Sequence, residues 1–161
     1  MTGKIEIKKF QIKENLLAMV QNSVGSREYQ HCYALVWDEQ SRSFISKDLV
    51  QGGRLACAFF VASKLIVFHL IGALHLTVNG IIIDMLECGW KRIDKKLFQA
   101  GDVIVWEEKV GATGVHRHIG FYVGKNEAIS MNSHIRRPIR HDATYQGKRK
   151  IEEVFRHPFY L

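Results

Sequence analysis

The sequence has little cysteine and little proline. Its three cysteines, Cys32, Cys57 and Cys88, are an odd number and show no CxxC spacing, which argues against a disulfide framework and against a cysteine-rich zinc site. Such cysteine usage suits a reducing compartment, or thiols that are buried or catalytic. There are only two prolines and no low-complexity tract or fixed-period repeat. We predict neither a metal nor a cofactor.

Long hydrophobic runs are also missing. The longest, residues 65–78, is shorter than the ~20 residues that a membrane-spanning helix needs, and it contains His69 and His75. Residues 1–10 are charged and alternating, without the apolar core or the cleavage site of a signal peptide. We therefore expect no membrane span and a protein that is cytoplasmic at synthesis, with non-classical export or phage-type release as further routes.

Positive charge is in excess. The 161-residue chain has a formal net charge of +7, which favours anionic partners in general. Much of the excess comes from six residues in the last third of the chain, Arg136, Arg137, Arg140, Lys148, Arg149 and Lys150. These runs lack interleaved aromatic residues, so a dedicated nucleic-acid function is not predicted. A solvated basic face explains them as well as contact with an anionic polymer does.

The order of hydrophobic patterns predicts an α+β fold in which helices come first and an antiparallel sheet follows. Helical spacing covers residues 15–23, from about Leu55 to about His69, and Val78 to Glu87, with Gly89 as the cap of the last helix. Residues 3–10 and 29–38 are predicted to be extended, and residues 41–53 to be a polar connector. Alternation predicts strands over residues 102–106, 118–124, 127–132, 138–141 and 151–156, with a loop over 107–115 and a tight turn at 124–126.

The helix that follows Gly52-Gly53 is nearly all apolar, as is typical of a buried helix, and it has Cys57 in its first turn. The N–H groups at a helix start stabilise an anion, so we predict a lowered pKa and a larger thiolate fraction for Cys57. Burial of Cys57 as an ordinary small residue is the alternative. Cys88, in the last turn of the next helix, is predicted to be structural.

A histidine begins the strand over residues 118–124. Alternation places His118 and Gly120 on one face, and Ile119 and Phe121 on the face of the core. If residues 124–126 form the turn, His118 lies opposite Asn132, whose amide oxygen would orient the imidazole ring. Turns of other lengths would bring Ser130 or His134 opposite His118, because the register shifts in steps of two.

These residues together predict nucleophilic catalysis. Cys57 would attack an acyl carbon, His118 would take the thiol proton, and Asn132 or Ser130 would hold the ring. The backbone N–H of Cys57, and the side chain of Gln51 six residues before it, would donate to the oxyanion.

The chain resembles the NlpC/P60 family and the related CHAP amidases, in residues Gly101-Asp102-Val103-Ile104-Val105-Trp106, His118-Ile119-Gly120-Phe121-Tyr122-Val123-Gly124 and Ala128-Ile129-Ser130. The resemblance covers roughly residues 50–135 and is more specific around the histidine than around the cysteine. It implies a single papain-like domain over residues 1–161, with an N-terminal elaboration at 1–50 and a catalytic core at 51–161. It also implies thiol hydrolysis of amide bonds, commonly in peptidoglycan stem peptides, with Cys57 as nucleophile and His118 as base.

Other functions remain open from the sequence. An acyltransferase could use the same thioester, and an inactive member of the fold could hold an anionic polymer on its basic surface. His116 and His118 also have a spacing that can ligate a metal, with His134 or Cys57 as a third ligand, although no HExxH or CxxC motif accompanies them. The cysteine hydrolase is the function that we predict.

Overall fold

The computed structural model describes residues 10–111 and 114–158. Its elements, in chain order, are α1 (Ile12–Asn22), β1 (Tyr33–Asp38), β2 (Ser43–Asp48), α2 (Cys57–Val67), α3 (Val78–Glu87), β3 (Lys91–Arg92), β4 (Val103–Gly111), β5 (Gly114–Gly124), β6 (Glu127–Asn132), β7 (Arg137–Asp142) and β8 (Ile151–Arg156). The strand predicted at residues 3–10 lies, except for its last residue, outside the described residues. None of the helices in the described ranges combines the length and apolar character needed to cross a membrane.

The strands form two sheets. Strands β1 and β2 make a separate hairpin, and the other six form one antiparallel sheet in the order β3-β8-β4-β5-β6-β7. The predicted α+β class, with helices first and a meandering antiparallel sheet second, is confirmed. The two central strands of the sheet, β4 and β5, are the ones on which the site is built.

Both faces of the sheet are packed. The helices cover one face, where Phe60 of α2 makes an edge contact with Phe121 of β5 at 5.9 Å between ring centroids. The other face has a smaller buried cluster that includes Trp106 and Tyr122. The sequence predicted a core on the Ile119 and Phe121 face alone, so the second cluster is an addition. It surrounds the face on which His118 lies.

Two segments predicted to be loops are paired strands. The connector at residues 41–53 contains β2, whose side chains are almost all exposed and therefore show no alternation. The segment at residues 107–115 continues the β4–β5 ladder to the pair Gly111 and Gly114, with a register shift between Trp106 and Lys109. Both loop predictions are wrong because backbone pairing stabilises strands that bury little.

The β5–β6 turn differs from its predicted register by one residue. Lys125 and Asn126 have positive φ values of 53° and 60°, and Gly124 pairs with Glu127 in place of the predicted Val123. The bulge between Tyr122 and Gly124 then restores the predicted register, so that Gly120 pairs with Ser130. A bulge of this kind places one extra residue on one strand without changing the pairing beyond it.

Candidate active site

Cys57 is the first residue of α2. Its N-cap, Ala56, makes no side-chain cap hydrogen bond, so the first N–H groups of the helix are left for other acceptors. The backbone N–H groups of Ala58 and Ile119 stabilise the thiolate form of Cys57. Ile119 is the residue of β5 next to His118, so the start of α2 faces β5 at the base.

The Cys57 thiol is not activated by its position at the helix start alone. Burial raises the pKa of the Cys57 thiol, and this effect exceeds the lowering by the N–H bonds of Ala58 and Ile119 and by the charge of Arg149. The prediction of a lowered pKa is therefore wrong. A thiol in this environment needs a base at the moment of attack, because the thiolate is disfavoured beforehand.

His118 is bonded to a buried polar group on β6. Its Nε2 is 2.9 Å from Ser130 Oγ, and its ring lies over Trp106 with 5.2 Å between centroids. Burial, then the charges of Arg149 and His141, lowers the pKa of His118 to about 3. The imidazole is thus neutral at physiological pH, which is the form that can accept a proton.

Ser130 connects His118 to His141 and Tyr145. Its hydroxyl has no exposed surface and is 2.8 Å from His141 Nε2 and 3.1 Å from the hydroxyl of Tyr145. His141 Nδ1 is 2.8 Å from the carbonyl oxygen of Asp142. A carbonyl only accepts, so Nδ1 of His141 holds the proton and its Nε2 is the acceptor for Ser130.

This chain of bonds determines the tautomer of His118. Ser130 has one hydrogen, which it donates to His141, and two lone pairs, which accept from His118 Nε2–H and from the hydroxyl of Tyr145. With its single proton on Nε2, a neutral His118 has Nδ1 free as an acceptor. We infer that Nδ1 is the nitrogen that receives the thiol proton.

Two of the predicted site residues, Asn132 and Gln51, make no hydrogen bond to Cys57 or His118 in the part of the chain that the structure describes. The Asn132 side-chain oxygen accepts the N–H groups of His134 and Ile135 at 2.9 Å and 3.0 Å, and thereby closes the β6–β7 turn. Gln51 is exposed in the turn before α2, with φ of 52°, and its carbonyl accepts from the side chain of Arg54. Ser130, named with Asn132 as an orienter of the ring, is the one that bonds to His118.

Sequence reasoning missed His141 and Tyr145, which lie on β7 and in the loop that follows it. A usable signal was the alternation of β7: Ser130 pairs with Ile139, so His141, two residues on, shares the face of Ser130. The two rings stack at 4.1 Å, which holds both polar atoms toward Ser130. Tyr145 has no such signal, because its position depends on a positive φ of 53° in a turn.

The metal and polymer alternatives gain no support from the geometry. Within residues 10–111 and 114–158, no group of three His, Cys, Asp or Glu side chains is arranged to hold a metal ion. The six basic residues do not form one free patch, since Arg140 pairs with Glu127 at 2.7 Å and the Arg149 guanidinium donates to backbone carbonyls. Contact of the remaining basic residues with an anionic polymer stays a prediction.

The variants Ser130→Ala and Asn132→Ala are expected to affect different properties, the first kcat and the second the free energy of unfolding. Ser130→Ala removes the bond that holds the Nε2–H tautomer of His118, so kcat should fall by about 10-fold or more, the cost of losing a buried hydrogen bond. Asn132→Ala removes a turn bond and should lower the free energy of unfolding by about 1 kcal/mol while leaving kcat unchanged. Steady-state kinetics and urea denaturation of both variants measure this. A loss of kcat in Asn132→Ala alone would identify Asn132 as the orienter.

The alkylation of Cys57 by iodoacetamide is expected to depend on His118. Only the thiolate attacks, and burial raises the pKa of the Cys57 thiol. His118, whose lowered pKa keeps it neutral, can accept the thiol proton as the sulfur attacks, so His118→Ala should lower the Cys57 rate between about pH 5 and 8. Mass spectrometry reads each cysteine separately, with Cys88 as the internal reference. A Cys57 rate that His118→Ala leaves unchanged would contradict the pair.

Comparison with known proteins adds no family. No protein-family model matches the chain, and no curated protein sequence matches it. The function therefore has to be argued from Cys57, His118 and Ser130 and from the geometry that joins them.

Proposed function

We propose that the protein is a cysteine hydrolase that cleaves an amide bond through a thioester on Cys57. One observation carries the proposal: Ser130 holds the proton of His118 on Nε2, so that Nδ1 is the free acceptor, while the N–H of the adjacent Ile119 stabilises the thiolate of Cys57. A thiol, a neutral base and a group that orients the base are the components of nucleophilic acyl transfer.

The reaction has two halves. In the first, the Cys57 proton passes to Nδ1 of His118 as the sulfur attacks the carbonyl carbon of the substrate, and the carbonyl oxygen becomes an oxyanion. The oxyanion then collapses, the C–N bond breaks, and the amine leaves with the proton from His118. In the second half, His118 deprotonates a water molecule that attacks the thioester, which releases the acid and returns the proton to Cys57.

The start of α2 is suited to the oxyanion. The N–H of Cys57 belongs to the first turn, where helix N–H groups have no intrahelical acceptor, and the helix dipole is positive at this end. When the sulfur moves to the substrate carbon, the N–H groups that stabilised its thiolate become available to the new oxyanion. Gln51 as a second donor stays a prediction.

We further propose that the fold is papain-like and of the NlpC/P60 type, with a peptide of the peptidoglycan stem as the substrate. The proposal is supported by the resemblance in residues 101–106 and 118–124 and by the packing of the Cys57 helix on the His118 strand. Asp102, in the segment 101–106, has a structural role. Its carboxylate accepts hydrogen bonds from Arg156 Nε and Nη2 at 2.8 Å each and anchors the start of β4.

The test is cleavage of defined peptides followed by mass spectrometry. We expect fragments whose masses add up to the peptide plus one water, and a trapped thioester on Cys57 when the reaction is quenched with acid. Added hydroxylamine should divert part of the product to the hydroxamate, and exclusive transfer to an added amine would indicate the acyltransferase. If Cys57→Ala retains the biological effect of the wild type, the protein is a binding module and the proposal fails.

A further inference from the structure

Arg149 lies against the site but is not used by the mechanism above. Its Nε and Nη2 donate to the carbonyl oxygen of Glu107 at 3.2 Å and 2.9 Å, and Nη2 also donates to that of His116 at 3.2 Å. Glu107 follows Trp106, which pairs with His118 across β4 and β5. These bonds hold the guanidinium across β4 and β5, next to the pair of Trp106 and His118.

The charge of Arg149 has no carboxylate partner among the described residues. Arg117, Arg140 and Arg156 each form an ion pair with a carboxylate, whereas Arg149 bonds only to neutral carbonyl oxygens. The carboxylate of Glu107, whose carbonyl oxygen binds the guanidinium, accepts the N–H of Lys150 instead. A half-buried charge without a counter-ion is costly, and an anion that binds beside it lowers that cost.

One nitrogen of the guanidinium is left without a bond. Nη1 makes no hydrogen bond to the described residues, although Nε and Nη2 are held in place. The field of Arg149 acts on Cys57, His118 and Tyr145, so an anion on Nη1 would lie close to the reacting thiol. A guanidinium held by two strands is pre-organised for such a ligand.

We propose that Arg149 binds a carboxylate of the substrate beside Cys57, so that the enzyme acts on amide bonds with a carboxylate close to the scissile carbonyl. This inference rests on the proposed function and narrows its substrate class to acidic peptides. A C-terminal carboxylate and an acidic side chain present the same chemistry to the guanidinium, and both are anions that arginine binds through charge-assisted hydrogen bonds.

Two alkylating reagents test the inference without a substrate. Iodoacetate and iodoacetamide are similar in size, and both form a carbon–sulfur bond with loss of iodide, but only iodoacetate is anionic. We expect the ratio of their rates to be about tenfold higher at Cys57 than at Cys32 in the wild type. Arg149→Gln should bring the Cys57 ratio down to that of Cys32, and Arg149→Lys should keep most of it. Arg140→Gln removes the same charge from an exposed ion pair and should leave the ratio unchanged.

Each other outcome has a definite meaning. Equal loss of both rates in Arg149→Gln would show that Arg149 only holds β4 and β5 together. A wild-type ratio that salt does not lower would show that no charge acts on the reagent. Either result overturns the inference while the hydrolase stands, whereas a Cys57 alkylation rate that does not depend on His118 would overturn the proposed function. If the inference holds, peptides with C-terminal amides and with Gln for Glu identify which carboxylate Arg149 binds.

Discussion

His118→Ala is expected to lower the kcat of amide hydrolysis by about 1,000-fold, within the range measured for general acid–base groups. The reason is the state of the pair: burial raises the pKa of Cys57 and lowers that of His118, so that the thiol is protonated and depends on the imidazole to remove its proton. Cys57→Ala should abolish the reaction, because no thioester can form. Peptide cleavage followed by mass spectrometry measures both.

The other two cysteines are the matched controls. Cys32→Ser and Cys88→Ser should both retain the activity of the wild type, since the Cys88 thiol donates to Asp84 at 3.3 Å and is remote from His118 in the bonding network. Circular dichroism of each variant should show an unchanged fold. Loss of activity in Cys88→Ser with retention in Cys57→Ala would identify Cys88, at the C-terminal end of α3, as the nucleophile and would contradict the site.

Gly120→Ala is expected to abolish activity and to destabilise the protein by about 3 kcal/mol, the upper end of the usual cost of overpacking. A Cβ on Gly120 would lie 2.7 Å from both the carbonyl oxygen of Ile129 and Cβ of Ser130, and 3.1 Å from Trp106. Backbone cannot yield as a long side chain does, so β5 and β6 must separate and the Ser130 bond to His118 must break. Thermal melting, with a fall of about 10 °C, and Cys57 alkylation measure the two effects.

Gly147→Ala is the matched control for this prediction. Gly147 also has no side chain, but its Cβ would meet nothing within 4 Å, and its φ of +78° imposes only the local strain of a left-handed residue. That strain costs about 1 kcal/mol and should leave the alkylation of Cys57 unchanged. A Gly120→Ala protein as stable and as reactive as the wild type would contradict the close approach of β5 and β6.

Several elements could be predicted because their signals are local. Helix α3 matches its predicted bounds, since Thr77 caps its start by accepting the N–H of Gly80, and Gly89 adopts a positive φ of 91° after its end. Strands β6 and β8 also match their predicted bounds. The turn residues 124–126 precede β6, and the basic residues 148–150 precede β8. The hairpin β1–β2 was half missed, since exposed strands such as β2 have no hydrophobic period to detect.

The pKa of Cys57 shows the limit of local reasoning. The helix start, which the sequence reveals, lowers this pKa, but the burial of the thiol against β5 raises it by more. Burial depends on which strand packs across the helix, and that strand comes about 60 residues later in the chain. A sequence pattern contains the first effect and not the second.

The sequence by itself determined the α+β order of elements, and it named Cys57 and His118 as candidates, because a thiol at a helix start and a histidine at a strand start are local patterns. Only the tertiary structure decided which groups surround them. Ser130 reaches His118 diagonally across two strands, His141 reaches Ser130 from a third strand, and Arg149 spans β4 and β5 from a distant loop. Side-chain contacts between strands depend on register, bulges and turns, and these are properties of the folded chain.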